Sequence, residues 1–350
     1  MVLNTSHNQY PPFAEGLTTA PLVSISLSKL EANDAGESSA FYKASKELGF
    51  FYMNMEGSAL GEKIVSQAEQ LHVVQKQFHS LPNELKEEYL REKIDPFFGY
   101  RILGTREQED GTIGRNENYN MRKDDLIGNC KPLPCPDLIK QNWQLLGDYA
   151  RNCRAAIDLM FTRLEESLEL PIGTFAELHR IEEMSGDHVR FNKQAPGKFD
   201  EEKAKLGEHT DFGSLTILFN WMGGLQIRRP DTNEWVYVRP VPGSAVVNLG
   251  DALVKFTAGI LRSNVHRVVP AAAPQNKIDR HSLVFFSRPE DAVVLRRLKG
   301  GLIDKQPSTE KKEPEMTSEE WILRRSVGDL KGVYTHQSGL ELRPVIEGHA

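Results

Sequence analysis

The run Gly207-Glu-His209-Thr-Asp211-Phe-Gly213 carries an imidazole and a carboxylate two residues apart. On a strand, residues i and i+2 project from one face, so both side chains reach toward the same point. A second imidazole, His266, stands well downstream in Asn264-Val-His266-Arg-Val and has to arrive from another strand or strand end. Two imidazoles and one carboxylate can occupy one face of an octahedron and leave three positions open. Fe(II) suits that arrangement, and zinc accepts the same donors. Arg280 and Ser282 follow in Arg280-His-Ser282-Leu-Val-Phe-Phe-Ser-Arg288, again two apart. A guanidinium fork and a hydroxyl on one strand face make a charge-assisted seat for a carboxylate, such as the far end of a small dicarboxylic acid. Taken singly, the His-x-Asp pair reads as a surface hydrogen bond and Arg280 as a surface ion pair. Taken together, the five residues describe one metal-and-anion site.

These residues need strands to carry them, and the chain changes texture where they begin. Before Gly186 the pattern is mostly helical. Apolar residues recur at helical intervals from Leu60 to Leu81 and again from Asn142 to Leu170, where Leu145, Leu146, Tyr149, Cys153, Ile157, Met160, Phe161 and Leu164 form one stripe. Ser38 to Gly49 has the same spacing. Two short strands are expected at Pro21–Leu27 and Gly49–Met55. The stretch from Asp95 to Asp125 mixes glycines with charged residues and reads as a long irregular loop. After Gly186 come short alternating segments punctuated by Gly and Pro. They are His188–Gln194, Leu215–Phe219, Gly224–Arg228, Trp235–Val238, Ser244–Leu249 and Ser282–Phe286. Arg297 to Pro314 reads as a surface loop. Thr317-Ser-Glu-Glu320 has capping-box spacing ahead of a late helix at Trp321–Arg325, and the last dozen residues read as a tail.

Composition narrows the function classes. The 350 residues are 39% hydrophobic and 26% charged with a net charge of −6, an ordinary globular balance long enough for a substantial core. Without a basic excess there is no footprint for nucleic acid. No apolar window is long enough to span a membrane, and the first residues lack the basic start and apolar run of a signal peptide. Three cysteines, Cys130, Cys135 and Cys153, read as free thiols in a reducing compartment. A soluble, cytoplasmic chain is expected, acting as a monomer or homodimer on a small molecule, with no nucleic-acid or membrane partner.

The chain resembles the Fe(II)- and 2-oxoglutarate-dependent oxygenases of the isopenicillin N synthase-like family, in its fungal biosynthetic branch. The resemblance rests on His209-Thr-Asp211-Phe-Gly-Ser-Leu-Thr216, Gly223-Gly-Leu-Gln226, Trp235, Asn248-Leu-Gly-Asp251, Asn264-Val-His266-Arg-Val and Arg280-His-Ser282-Leu. In the first half, Gly49-Phe-Phe-Tyr, Phe78 and Glu117-Asn-Tyr-Asn carry it, so it covers roughly residues 20 to 330. It implies an α+β fold with a double-stranded β-helix (jelly-roll, cupin-like) core and flanking helices. The expected division is a flexible arm at 1–20, a supporting region at 21–180, the catalytic core at 181–295 and a C-terminal loop, helix and tail at 296–350. It further implies Fe(II) on His209, Asp211 and His266, and the distal carboxylate of 2-oxoglutarate on Arg280 and Ser282.

In relatives an Asn and a Tyr, two apart, help hold the co-substrate. Asn192 matches the first, and Gln194 departs from the second. The implied reaction consumes O2 and 2-oxoglutarate, releases succinate and CO2, and oxidises an unactivated C–H bond by hydroxylation, desaturation or ring chemistry. Ascorbate is a candidate reductant. Phe97, Phe98, Tyr100, Asn120 and Asn192 are the candidate substrate residues, with the late helix as a further wall. An iron oxidase that dispenses with 2-oxoglutarate, or a binder on the same fold that has lost catalysis, are the alternatives.

Overall fold

A computed structural model describes residues 6–107, 113–197, 200–201, 204, 207–307 and 315–331, with the backbone alone at 106–107 and 326–331. Its strands are β1 (Ser24–Ser26), β2 (Phe50–Asn54), β3 (Gly99–Glu107), β4 (Ile113–Arg122), β5 (His188–Gln194) and β6 (Leu215–Asn220). They continue with β7 (Leu225–Arg228), β8 (Trp235–Tyr237), β9 (Ser244–Leu249), β10 (His266–Val268) and β11 (Arg280–Ser287). Eight form one sheet in the order β1-β2-β9-β6-β11-β5-β4-β3, and three form a smaller one in the order β10-β7-β8. Only β1 and β2 pair in parallel; every other pair is antiparallel.

Alternation along the strands gives the large sheet two faces. Val189, Phe191, Leu283 and Phe285 turn toward the helices Ala59–His79 and Trp143–Ser167 and join the main core. The opposite face meets the small sheet, where Phe50 and Val246 pack with Leu225, Ile227, Val236 and Val238. Strand register then places Arg280, Ser282, Val284 and Phe286 of β11 beside Gln194, Asn192, Arg190 and His188 of β5 on this inner face. The jelly-roll expectation holds: two sheets enclose a cleft, and helices back the larger one.

Three local expectations need correction. The segment Asp95–Asp125 is no irregular loop. It contributes β3 and β4, which extend the large sheet beyond β5. Gly99 and Gly104 adopt φ of 105° and 138°, and the register slips between Ile102 and Gly104. That bulge breaks the period-2 pattern a strand reading depends on. The arm at 1–20 is tied down over its described part: Thr19 bridges to Tyr237, Gln275 Nε2 donates to Pro11 O at 2.8 Å, and Tyr10 Oη lies 2.6 Å from His72 Nε2. Within Arg297–Pro314, Gly301–Asp304 forms a helical turn that buries Ile303. The C-terminal tail lies outside the described residues.

The late helix runs Ser318–Lys331, and its capping box forms in both directions. Thr317 N donates to Glu320 Oε2 at 2.9 Å and Glu320 N to Thr317 Oγ1 at 3.2 Å. The three cysteines are free thiols. Among the described residues no helix is long and apolar enough to cross a membrane.

Candidate active site

His209 and His266 face each other across an isolated antiparallel bridge, with His209 N to His266 O at 3.0 Å and the reverse bond at 2.9 Å. Asp211 lies just beyond the bridge, in a turn whose carbonyl accepts from Asp251 N at 2.8 Å. The pair therefore sits at a strand end rather than within a strand, and the turn sends Asp211 back toward the imidazoles. One ligand atom from each of the three residues lies within 4.8 Å of the others. Asp211 Oδ1 is 3.7 Å from Nε2 of both histidines.

The donor set fits a metal ion. His209 Nδ1 is 2.9 Å from Gly207 O, and His266 Nδ1 is 3.1 Å from Asn264 O. A carbonyl can only accept, so Nδ1 carries the proton in each ring and Nε2 presents its lone pair. The far oxygen of Asp211 is saturated: Oδ2 accepts from Thr216 Oγ1 at 2.6 Å and from Asn248 Nδ2 at 2.7 Å. Burial pushes the Asp211 carboxyl up, but the positive charge of His266 and His209 in their protonated forms, together with these two hydrogen bonds, outweighs it and holds the group below its usual value. A carboxylate fixed at one oxygen and open at the other is what a metal ligand requires.

Behind the ligand turn, Thr210 donates to Asp251 Oδ2 at 2.8 Å, and Arg325 of the late helix reaches the same oxygen at 3.0 Å. Thr216 and Asn248 entered the sequence reading only within motifs and Arg325 only as the end of the late helix, none with a role at the metal. Asn248 and Asp251 belong to a motif that carried the resemblance, which was the available signal for them.

Arg280 is 4% exposed, and its Nε donates to Gly223 O at 2.7 Å. Burial pulls its pKa down to about 10, so it remains a cation at neutral pH. No ion pair neutralises it among the described residues. Its Nη1 lies 3.5 Å from Ser282 Oγ, which also accepts from Asn192 Nδ2 at 3.4 Å. Gly224 makes room for this side chain: at φ 100°, a Cβ there would lie 2.5 Å from Val269 O and 3.2 Å from Arg280 Nε. Gln194 faces Arg280 across the strand pair, and its Oε1 is buried with no hydrogen-bond partner. A buried cation without an ion pair and an amide oxygen without a partner thus stand on one cleft wall with unused hydrogen-bonding capacity.

The candidate substrate residues divide between the two faces. Phe97 and Phe98 pack with Ile322 of the late helix, and the Phe97 ring is 5.2 Å from that of His188 on the inner face. Asn120 is also on that face, accepting from Arg190 Nε at 2.7 Å. Tyr100 is not. It points to the helix side, against Phe78, and donates to Glu117. Tyr100 pairs with Tyr119 in regular register ahead of the bulge, and its face went unread because the segment was taken for a loop.

Two family models match the chain. The 2OG-Fe(II) oxygenase superfamily covers residues 186–289, and the N-terminal region of the non-haem dioxygenases, described for morphine synthesis, covers 20–137. The chain belongs to the 2-oxoglutarate–Fe(II) oxygenases. It is a 2-oxoglutarate-dependent dioxygenase, whose cofactors are Fe(II), 2-oxoglutarate and O2. A 2-oxoglutarate-dependent dioxygenase of Aspergillus fumigatus is 29% identical over 311 residues, which span 82% of this chain and 80% of that one. The 2-oxoglutarate-dependent dioxygenase gloE of Glarea lozoyensis is 29% identical over 285 residues, spanning 81% and 84%. A full-length Neurospora crassa protein solved in complex with alpha-KG shares the fold with a TM-score of 0.71 at 21% identity, over 90% of this chain and 97% of that one.

Proposed function

We propose that His209, Asp211 and His266 bind Fe(II), that Arg280 and Ser282 seat the distal carboxylate of 2-oxoglutarate, and that the enzyme oxidises an unactivated C–H bond of a small organic molecule in natural-product biosynthesis. The observation that carries this reading is the convergence on one inner face of a proton-assigned His–Asp–His set and a buried, unneutralised arginine. When bound, the metal with 2-oxoglutarate and O2 supplies the oxidising power, releasing succinate and CO2. The biosynthetic role rests on the likeness to fungal dioxygenases.

The chain's own contribution is placement. Gly207 and Asn264 carbonyls hold the imidazole tautomers, while Thr216 and Asn248 hold Asp211 so that one oxygen faces the metal. Arg280 would meet the co-substrate carboxylate through its fork, with Ser282 as a further donor. Asn192 and Gln194, on the neighbouring strand, would serve the rest of the same molecule, with Gln194 donating an amide N–H where relatives have a phenol.

Anaerobic addition of Fe(II) and 2-oxoglutarate should produce a weak visible charge-transfer band, and Asp211→Ala should abolish it while the protein stays folded. A band of unchanged strength in Asp211→Ala would refute the metal assignment. Succinate formed in step with oxidised product separates this reading from an iron oxidase that does not use 2-oxoglutarate.

A further inference from the structure

Besides Arg280, the inner face carries Arg288 and Arg190 near the metal ligands. Arg288 is 4% exposed, yet its Nε and Nη1 are buried with no hydrogen-bond partner among the described residues, while its backbone N donates to Asp187 Oδ1. Its stem lies in a slot left by two glycines. A Cβ on Gly213 would come 2.8 Å from Arg288 Cγ, and one on Gly186 would come 2.8 Å from Cδ. Gly213 follows Asp211 by two residues, so the slot adjoins the ligand turn. Arg190 of β5 gives its Nε to Asn120 Oδ1 and has no other hydrogen-bond partner among the described residues.

Both guanidiniums sit over aromatic rings, Arg288 4.4 Å from the centroid of Phe97 and Arg190 4.6 Å from that of Phe286. Stacking on a ring face leaves the in-plane N–H edges for a planar oxyanion. Phe286 stands opposite Thr216, the residue that donates to Asp211, so this cationic pair borders the metal ligands.

Among the described residues, no ion pair neutralises Arg288 or Arg190. Burial, and then repulsion from Arg288, lowers Arg190 to about 9; burial lowers Arg288 to about 10. Asp211 acts on both, and Asp187 and Asp291 on Arg288, but none forms an ion pair with either guanidinium. A third arginine of the same face, Arg122, shows the contrast: its Nη2 is 2.6 Å from Asp125 Oδ1. Buried cations without partners are costly unless a ligand supplies the anion.

We propose that the substrate of this oxygenase is a carboxylic acid whose carboxylate is seated by Arg288 and Arg190, a second anion subsite separate from the one at Arg280. The proposal rests on the oxygenase reading of the metal site, because that reading puts the substrate beside Asp211. The carboxylate would be held at the Phe97–Phe286 wall, leaving the rest of the molecule to reach the metal.

Calorimetric titration under anaerobic conditions, with Mn(II) and saturating 2-oxoglutarate to fill the Arg280 seat, tests it with benzoate and cinnamate against benzamide and cinnamamide. The acids should bind at least about tenfold more tightly than their amides, and Arg288→Gln and Arg190→Gln should each remove about tenfold or more of that affinity. Arg122→Gln should leave it unchanged. Equal binding of acid and amide, no binding of either acid, or indifference to both variants would overturn the proposal. Affinity for 2-oxoglutarate, measured in the same samples, separates the failures. If wild type does not bind 2-oxoglutarate, the oxygenase reading falls; if it does and acids gain nothing, only the second anion subsite falls. Should Arg288→Gln not fold, Arg190→Gln, at a half-buried position, still decides.

Discussion

The part of the large sheet made by β3, β4, β5 and β11 buries charge on both faces, and the faces treat it differently. On the helix side, Glu117 is fully buried, with Lys86 Nζ at 3.0 and 2.9 Å, His79 Nδ1 at 3.3 Å, Lys193 Nζ at 3.6 Å and the Tyr100 hydroxyl as a further donor. Every strong charge there has a partner of opposite sign. On the cleft side, Arg280, Arg288 and Arg190 have neutral partners, rings or none. Burial alone therefore does not distinguish structural charge from functional charge. Neutralisation does: the paired cluster fastens a helix to the sheet, while the arginines without an ion pair among the described residues are, on our proposal, seats for anions brought from outside.

The comparison breaks most visibly at Glu117. Glu117→Gln would leave Lys86 as an uncompensated buried cation, at a cost of about 3–5 kcal/mol, read as a lowered midpoint in urea unfolding. Turnover per folded molecule should be unchanged, since nothing in the cluster faces the cleft. Burial raises the Glu117 carboxyl, but contacts from His79, Tyr100 and Lys86 more than offset it and bring it to about 2, below its ordinary 4.5. A depressed carboxylate contributes stability that is complete above about pH 4.5 and is lost as pH falls toward 2. The stability gap between wild type and Glu117→Gln should therefore narrow from pH 5 to pH 3; a constant gap would show that the carboxylate is not held as described.

Arg280 is the opposite case, with a smaller effect. Arg280→Gln deletes a buried cation that the fold does not pair, so unfolding midpoints should hold or rise. The apparent 2-oxoglutarate requirement should rise about 10- to 150-fold, from the roughly 1.5–3 kcal/mol of a charge-assisted bond. Lost stability with unchanged co-substrate affinity would reverse the assignment of the two faces.

Much of this contrast was legible in the chain. Residues two apart share a face wherever strands are regular, so Arg280 with Ser282 and Asn192 with Gln194 could be placed before any coordinates. The helices at Ala59–His79 and Trp143–Ser167 declared themselves by one apolar stripe each. What stayed hidden depends on contacts that spacing does not encode. Tyr100 could not be given a face while its segment read as a loop rather than a strand, and the glycine slot that shapes Arg288 joins residues from three separate segments. Thr216 and Asn248 act on Asp211 from neighbouring strands, and only their shared register, Thr216 opposite Asn248, brings both hydrogen bonds to one oxygen.

That shared oxygen supplies the finest test of the cleft. If Thr216 and Asn248 fix Asp211 so that Oδ1 faces the imidazoles, removing one donor should loosen the metal without emptying the site. Asn248→Ala should weaken Fe(II) affinity about 10-fold, at the lower end of what outer hydrogen bonds to a ligand contribute, because Thr216 at 2.6 Å still holds the oxygen. Thr216→Val in the same chain should then cost more than the sum of the two single losses, since the carboxylate would be free to rotate. Additive losses would mean that the two donors act independently on Asp211, and that its orientation is set by the turn from His209 rather than by the strands behind it.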